Sequence, residues 1–136
     1  ELTTTPASII ETYDCKGQFS NACGVPTPEW RHRARVGWMS PWNVDLSLTW
    51  RYYGSVEEFR GDPTNIDHEL DAVNDFDLAA NFAVTEKTSI LLGVNNVLDE
   101  DPPITTAVGT TGNGNTFPQI YDALGRFLFI RAEVGF

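Results

Sequence analysis

Residues 124–136 constrain this chain more than any other stretch. Counting back from Phe136, the apolar residues Val134, Ala132, Ile130 and Leu128 occupy every second position. The intervening register carries Gly135, Glu133 and Arg131 before it turns aromatic at Phe129 and Phe127. A strand sends alternate side chains to opposite faces, so one face here is greasy and the other begins with charge. A strand that crosses a bilayer within a barrel has this layout: lipid on one side, a polar lumen on the other, and an aromatic ring at the interface. Bulk properties neither demand nor forbid that reading. A chain of 136 residues is long enough for one soluble domain with a core. No stretch reaches the apolar length of a membrane helix, and no signal peptide opens the chain. Glu1 at the first position reads as the start of a fragment or a processed product.

The same alternation recurs upstream. Val44, Leu46, Leu48, Trp50 and Tyr52 oppose Asp45, Ser47, Thr49, Arg51 and Tyr53. Phe76, Leu78, Ala80 and Phe82 oppose Asp75, Asp77, Ala79, Asn81 and Ala83, while Ala34, Val36 and Trp38 oppose Arg31, Arg33, Arg35 and Gly37. In each strand one face is too polar for a core and the other too apolar for water. Residues 88–97 fit two templates: Ile90, Leu92 and Val94 alternate as a strand, and Ile90, Leu91, Val94, Val97 and Leu98 form a helical stripe. Gly93 and the Asn95-Asn96 pair weaken the helix and favour the strand. The pattern therefore predicts an all-β fold of antiparallel up-and-down strands at about 30–38, 43–53, 73–83, 88–96 and 124–136.

Short and long connections alternate between these strands. Met39-Ser40-Pro41-Trp42 and Val84-Thr85-Glu86-Lys87 are tight turns rich in turn formers. The segments 1–28, 54–72 and 97–121 read as long loops. These loops hold twelve acidic residues against Lys16 and Arg60, which accounts for the whole net charge of −10; the strand segments balance seven acids with seven bases. Short turns on one side and long solvated loops on the other characterise bacterial outer-membrane barrels. The acidity argues against a nucleic-acid partner, whose phosphates require a basic surface. Five strands are too few to close a barrel, which takes about eight, and lipid does not tolerate open sheet edges. The chain thus reads as the C-terminal part of a larger barrel.

The run Leu92-Gly93-Val94-Asn95-Asn96-Val97-Leu98-Asp99-Glu100-Asp101-Pro102-Pro103 resembles the G-x-x-N-L-F-D-x-x-P segment of TonB-dependent outer-membrane receptors, where it ends the penultimate strand. Gly114-Asn115-Thr116-Phe117 followed by Tyr121-Asp122-Ala123-Leu124-Gly125-Arg126 resembles the family's Y-D-x-x-G-R entry to the last strand, and Phe136 its terminal assembly signal. Residues 15–53, with Pro26-Thr27-Pro28-Glu29-Trp30 and Ser40-Pro41-Trp42, resemble a subgroup associated with oligosaccharide uptake. The resemblance implies a roughly 22-stranded barrel with a plugged lumen in the outer membrane of a Gram-negative bacterium. It also implies active import of a scarce solute (a ferric siderophore, haem, cobalamin or an oligosaccharide), energised by TonB bound through an upstream region. The implied partners are outer-membrane lipid, the imported solute and the barrel-assembly machinery, which would read Phe136. No cofactor is implied. A passive porin and a soluble β-sandwich that binds carbohydrate are the rival readings.

Individual residues sharpen these expectations. Cys15 and Cys23, eight positions apart in an exported chain, read as a disulfide pinning a loop, with a metal pair as the alternative. The acidic runs 57–69 and 99–101 lack the spacing of a known calcium loop and read as solvated. Arg31, Arg33, Arg35 and Arg51 are expected on the lumenal face, paired with Asp45, Asp75 and Asp77 or with the plug, or else facing an anionic substrate. Trp30, Trp38, Trp42, Trp50, Tyr52 and Tyr53 read as interface girdles. Trp30, Arg51 and Tyr53 are also candidate ligand contacts. Neither His32 nor His68 has a nucleophile at a recognisable spacing, and the Gly109–Gly114 stretch lacks the Lys of a phosphate loop. The reading is therefore a transporter segment, with no catalytic residue and no metal site.

Overall fold

In the computed structural model residues 14–106, 110 and 112–136 are described; of the expected loops 1–28 and 97–121, residues 1–13, 107–109 and 111 lie outside them. Nine strands form, and no helix appears among the described residues: β1 (Gln18–Ser20), β2 (Gly24–Thr27), β3 (Arg31–Met39), β4 (Val44–Tyr53), β5 (Val56–Glu58), β6 (Glu69–Leu70), β7 (Val73–Thr85), β8 (Thr88–Asn95) and β9 (Phe127–Val134).

The five long strands make one antiparallel sheet in the order β3-β4-β7-β8-β9. Residues 88–95 are a strand, as the glycine and the asparagine pair favoured. Register follows the alternation. Ala34 faces Trp50, Trp50 faces Phe76, Leu78 faces Val94 and Val94 faces Leu128, so these alternating apolar side chains share one face across all five strands, while Leu91, Phe127 and Phe129 fall on the other. Arg33, Arg51 and Asp75 lie in register on the other face. The β3–β4 turn closes with the Ser40 N–H donating to the Val44 carbonyl (2.9 Å) and the Trp42 N–H to Ser40 Oγ (3.0 Å). Asn43 takes φ 60°, a conformation Asn tolerates better than most residues. Between β8 and β9, Gly93 makes room for the Phe129 ring; a methyl group at Gly93 would occupy the space of that ring. The ring lies across the gap, an aromatic covering a cross-strand glycine.

The apolar face is uncovered. Val36 is 69 %, Leu128 69 % and Ile130 76 % exposed. At its long-loop end sit Trp30, His32, Trp50, Tyr52 and Phe76. His32 packs edge-on to Trp50 at 4.4 Å and stacks on Tyr52 at 5.2 Å, and Trp50 stacks on Phe76 at 6.0 Å. At the other end Trp38 meets Trp42 at 6.4 Å. Eight residues of strand from Trp30 to Trp38 span roughly 26 Å. Tyr53 departs from the girdle expectation: it pairs with Arg31, lies on the polar face and packs on Tyr121 at 6.2 Å.

A second sheet, order β2-β1-β5-β6, lies within the segments 1–28 and 54–72 that read as loops. Its strands have two to four residues, too few to establish a period. One pairing, β1 with β5, is parallel and joins residues nearly forty positions apart, Gln18 to Glu57. The buried core sits here, at the long-loop end of the large sheet: Phe19, Val56, Leu70, Val73, Phe117 and Tyr121, with Tyr53 and Ile120 against it. Phe19 meets Phe117 edge-on at 5.8 Å. Each such side chain stabilises the cap by about 1.5–3 kcal/mol. The core therefore holds the loops together and leaves the apolar face of the large sheet bare.

Candidate functional site

The two sequence runs that carried the family resemblance meet in one polar joint. β8 ends at Asn95, and Asn96 follows in a left-handed turn (φ 52°) with no exposed surface. Its amide closes on one residue in both directions: Nδ2 donates to the Glu100 carbonyl at 2.8 Å and Oδ1 accepts the Glu100 N–H at 2.9 Å. These side-chain bonds satisfy backbone groups that lose their ladder where the strand stops. From β9's side, the Arg126 N–H donates to Asp99 Oδ1 at 2.8 Å, and Arg126 Nε donates to the Val97 carbonyl at 3.1 Å. Gly125 (φ 70°) allows that approach: a Cβ there would stand 3.1 Å from Asp99 Oδ1. Asp122 makes a local turn, its Oδ1 accepting the Leu124 N–H at 3.1 Å.

Arg51 ties this joint to the sheet. Its fork grips Asp77 with two bonds, Nε to Oδ2 at 2.8 Å and Nη2 to Oδ1 at 2.9 Å. Nη1 lies 3.6 Å from Asp75 Oδ2, and Nη2 3.5 Å from Asp122 Oδ2. Asp77 Oδ1 also accepts the Asn96 N–H at 3.0 Å. One guanidinium thus links β4, β7, the exit of β8 and the entry of β9. Asp75 is 1 % exposed, and its Oδ2 accepts no hydrogen bond, so that carboxylate depends on the Arg51 charge. A bidentate, part-buried pair of this kind sets geometry more than a surface ion pair does.

The three candidate ligand contacts separate. Arg51 and Tyr53 share the polar face, but Arg51 is engaged by acids and Tyr53 packs into the cap core. Trp30 lies on the apolar face, 66 % exposed, its Nε1 donating to His32 Nδ1 at 3.0 Å. It belongs with the aromatic cluster there and stands apart from the other two. Of the arginines expected to pair with Asp45, Asp75 and Asp77 or with the plug, Arg51 pairs with Asp75 and Asp77, and Arg31, Arg33 and Arg35 do not pair with these acids. Among the described residues these three make no ion pair or side-chain hydrogen bond; their cross-strand neighbours on β4 are Tyr53, Arg51 and Thr49, and Asp75 and Asp77 lie one strand further on, at Arg51. Arg131 pairs locally with Glu133 at 2.7 Å. Phe136 extends past β9 fully exposed, after the Gly135 N–H donates to the Lys87 carbonyl at 2.6 Å.

Cys15 and Cys23 are joined in a disulfide. The ring encloses Phe19, the most deeply buried aromatic of the cap, so the bond holds β1 against β5 and its core. Substituting both, Cys15→Ser with Cys23→Ser, is expected to lower cap stability by about 2–3 kcal/mol. Protease nicking of residues 15–27 before any cleavage in the long strands would report it.

Two contacts had no periodic signature in the sequence. Asp67 reaches across to the last long loop, where its Oδ2 accepts from the Thr106 N–H and hydroxyl, both at 2.6 Å. Those bonds hold the Asp67 carboxyl below the usual carboxylate range. Tyr121 is 2 % exposed, its hydroxyl has no partner, and burial pushes its phenol up to about 12. The raised value fixes a sign. The unfolded phenol ionises near 10 and the folded one only near 12, so the cap is fully stable below pH 10 and loses stability as pH rises through about 12. Near-UV circular dichroism between pH 9 and 12 checks this, and Tyr121→Phe is expected to remove that alkaline transition.

Among the described residues no group of three or more His, Cys, Asp or Glu is placed to hold a metal ion. The polar face of the large sheet is hollowed into a bay of about 730 Å³ bordered by Arg35, Asp45, Ser47, Asn81 and Arg131. No protein-family model, curated protein or solved structure matches the chain.

Proposed function

We propose that this chain supplies wall strands and outer loops to a β-barrel in the outer membrane of a Gram-negative bacterium, and that the barrel imports a scarce solute with energy from TonB. The observation that carries the barrel reading is the uncovered apolar face of the five-stranded sheet. It is bordered by aromatic clusters at both ends and backed by a charged face. In water so large an apolar patch drives association; in a bilayer it is the surface a barrel wall presents. The two free edges, β3 and β9, pair with further strands in a closed wall. A β-sandwich would lay its second sheet over the apolar face, whereas here the small sheet caps one end. The TonB-coupled part rests on the resemblance of residues 92–103 and 121–126, whose side chains meet in one joint. Import of a siderophore, haem, cobalamin or an oligosaccharide is the family's range. The chain itself positions and binds, and it runs no bond chemistry.

The test is the mass and upstream sequence of the native product, extracted from fractionated source cells. A membrane product several times longer, with a plug-like domain ahead of the strands, supports the proposal. A long product without a plug favours the porin. A soluble product of this length would overturn the barrel.

A further inference from the structure

β3 carries Arg31, Arg33 and Arg35 at every second position of its polar face, all exposed. Two residues of strand advance roughly 6.6 Å, so the three guanidiniums form a ladder at that interval. Their neighbours across the β3–β4 ladder are Tyr53, Arg51 and Thr49, none of them acidic. The acids on β7 are already gripped by Arg51, and Arg131 is paired with Glu133. Arg35 borders the bay on this face with Ser47 and Asn81; Asp45 and the Arg131–Glu133 pair line it too, so the cations without an acid partner are those of β3. An arginine fork matches a carboxylate or phosphate with two parallel bonds, which a lysine cannot reproduce.

We propose that this stripe is an anion-binding wall, and that the solute passing it carries carboxylate- or phosphate-type charges. The inference rests on the barrel reading, which makes this face lumenal, and it narrows the solute to an anionic class. Acid-rich loops lie beyond the strand ends. Their repulsion is screened over about 8 Å at physiological salt, so it slows entry without cancelling binding at the guanidiniums.

The experiment uses the full native protein in outer-membrane vesicles, with citrate as the anionic probe and glucose as the neutral one. Isothermal titration calorimetry provides the binding signal. Citrate is expected to saturate the signal and glucose to leave it unchanged. Arg33→Gln with Arg35→Gln should raise the citrate Kd about a hundredfold, roughly tenfold for each arginine–carboxylate pair removed. The Arg33→Lys, Arg35→Lys protein should fall between, since charge remains and the fork does not. Where the double Gln variant fails to fold, the Lys variant carries the comparison. Equal citrate binding by wild type and variants, or none by a wild type correctly recovered in the membrane, would overturn the proposal. Absence of heat-modifiable mobility in the variants, together with a wild type that ignores citrate, would instead assign the stripe to acids on an adjacent strand. A wild type absent from the outer membrane would sink the barrel reading itself.

Discussion

Arg51→Met is expected to destabilise the folded chain by about 3 kcal/mol, the low end of the range for removing one partner of a buried ion pair. The low end applies because the Arg51 side chain is 21 % exposed. The loss has two parts. The bidentate grip on Asp77 disappears, and Asp75, which is 1 % exposed and accepts no hydrogen bond at Oδ2, loses its only cation and must either hold an uncompensated charge or take up a proton. Two carboxyl groups, Asp75 and Asp77, then face Asp122 across the joint with no cation between them, only the Asn96 N–H remaining on Asp77. The second part is separable. Adding Asp75→Asn to Arg51→Met removes the stranded charge and should recover roughly half of the loss. Urea unfolding of the three proteins in the same vesicles measures this. A single substitution within 0.5 kcal/mol of wild type would mean that the joint is a surface ornament.

Leu92→Arg is expected to destabilise the sheet in a bilayer by about 2–4 kcal/mol, the penalty for a charge on the lipid face near the midplane. Leu92 sits in the middle of β8, paired with Ala80 and Ile130 on the apolar face. A long polar side chain there must snorkel past two apolar neighbours to reach water. Ser47→Arg, on the opposite face of β4, should change stability by less than about 1 kcal/mol if that face lines a wet lumen. The contrast between faces is the signal. For a water-exposed sheet the Leu92 substitution would be neutral, surface changes usually staying within about 0.5 kcal/mol. Parallel unfolding titrations in vesicles and in buffer decide between them.

The large sheet was legible in the sequence because apolar and polar residues alternate in five segments, and two tight turns reverse the chain between them. Val44–Tyr53 shows this best, since nearly every even position there is apolar. The short strands were not legible. Gln18–Ser20 and Val56–Glu58 have three residues each, and what joins them is a pairing across the chain that no local pattern encodes. Register explains the misjudged site residues. Trp30 and Tyr53 look alike as aromatic strand-end residues, but alternation already set Tyr53 with Asp45 and Arg51, and its pairing with Arg31 places it on the polar face, opposite Trp30. Arg33 and Arg51 look equally able to meet an acid; they are cross-strand neighbours, yet only Arg51 is adjacent to the strand bearing Asp75 and Asp77. The Asn96 and Asp122 turns are legible in residue type, because short polar side chains at a strand's end bond to nearby backbone. Their convergence on one arginine was not, since it depends on four segments being in place at once.

The most direct test of the central claim is the accessibility of spin labels placed singly along β4, at positions 45 to 50, with the protein in lipid vesicles. If the sheet is a barrel wall, labels at 46, 48 and 50 collide with oxygen dissolved in the bilayer and are shielded from a water-soluble nickel chelate, while labels at 45, 47 and 49 show the reverse. A nickel response equal at all six positions, or even positions reached by neither reagent because a protein layer covers them, would contradict the account.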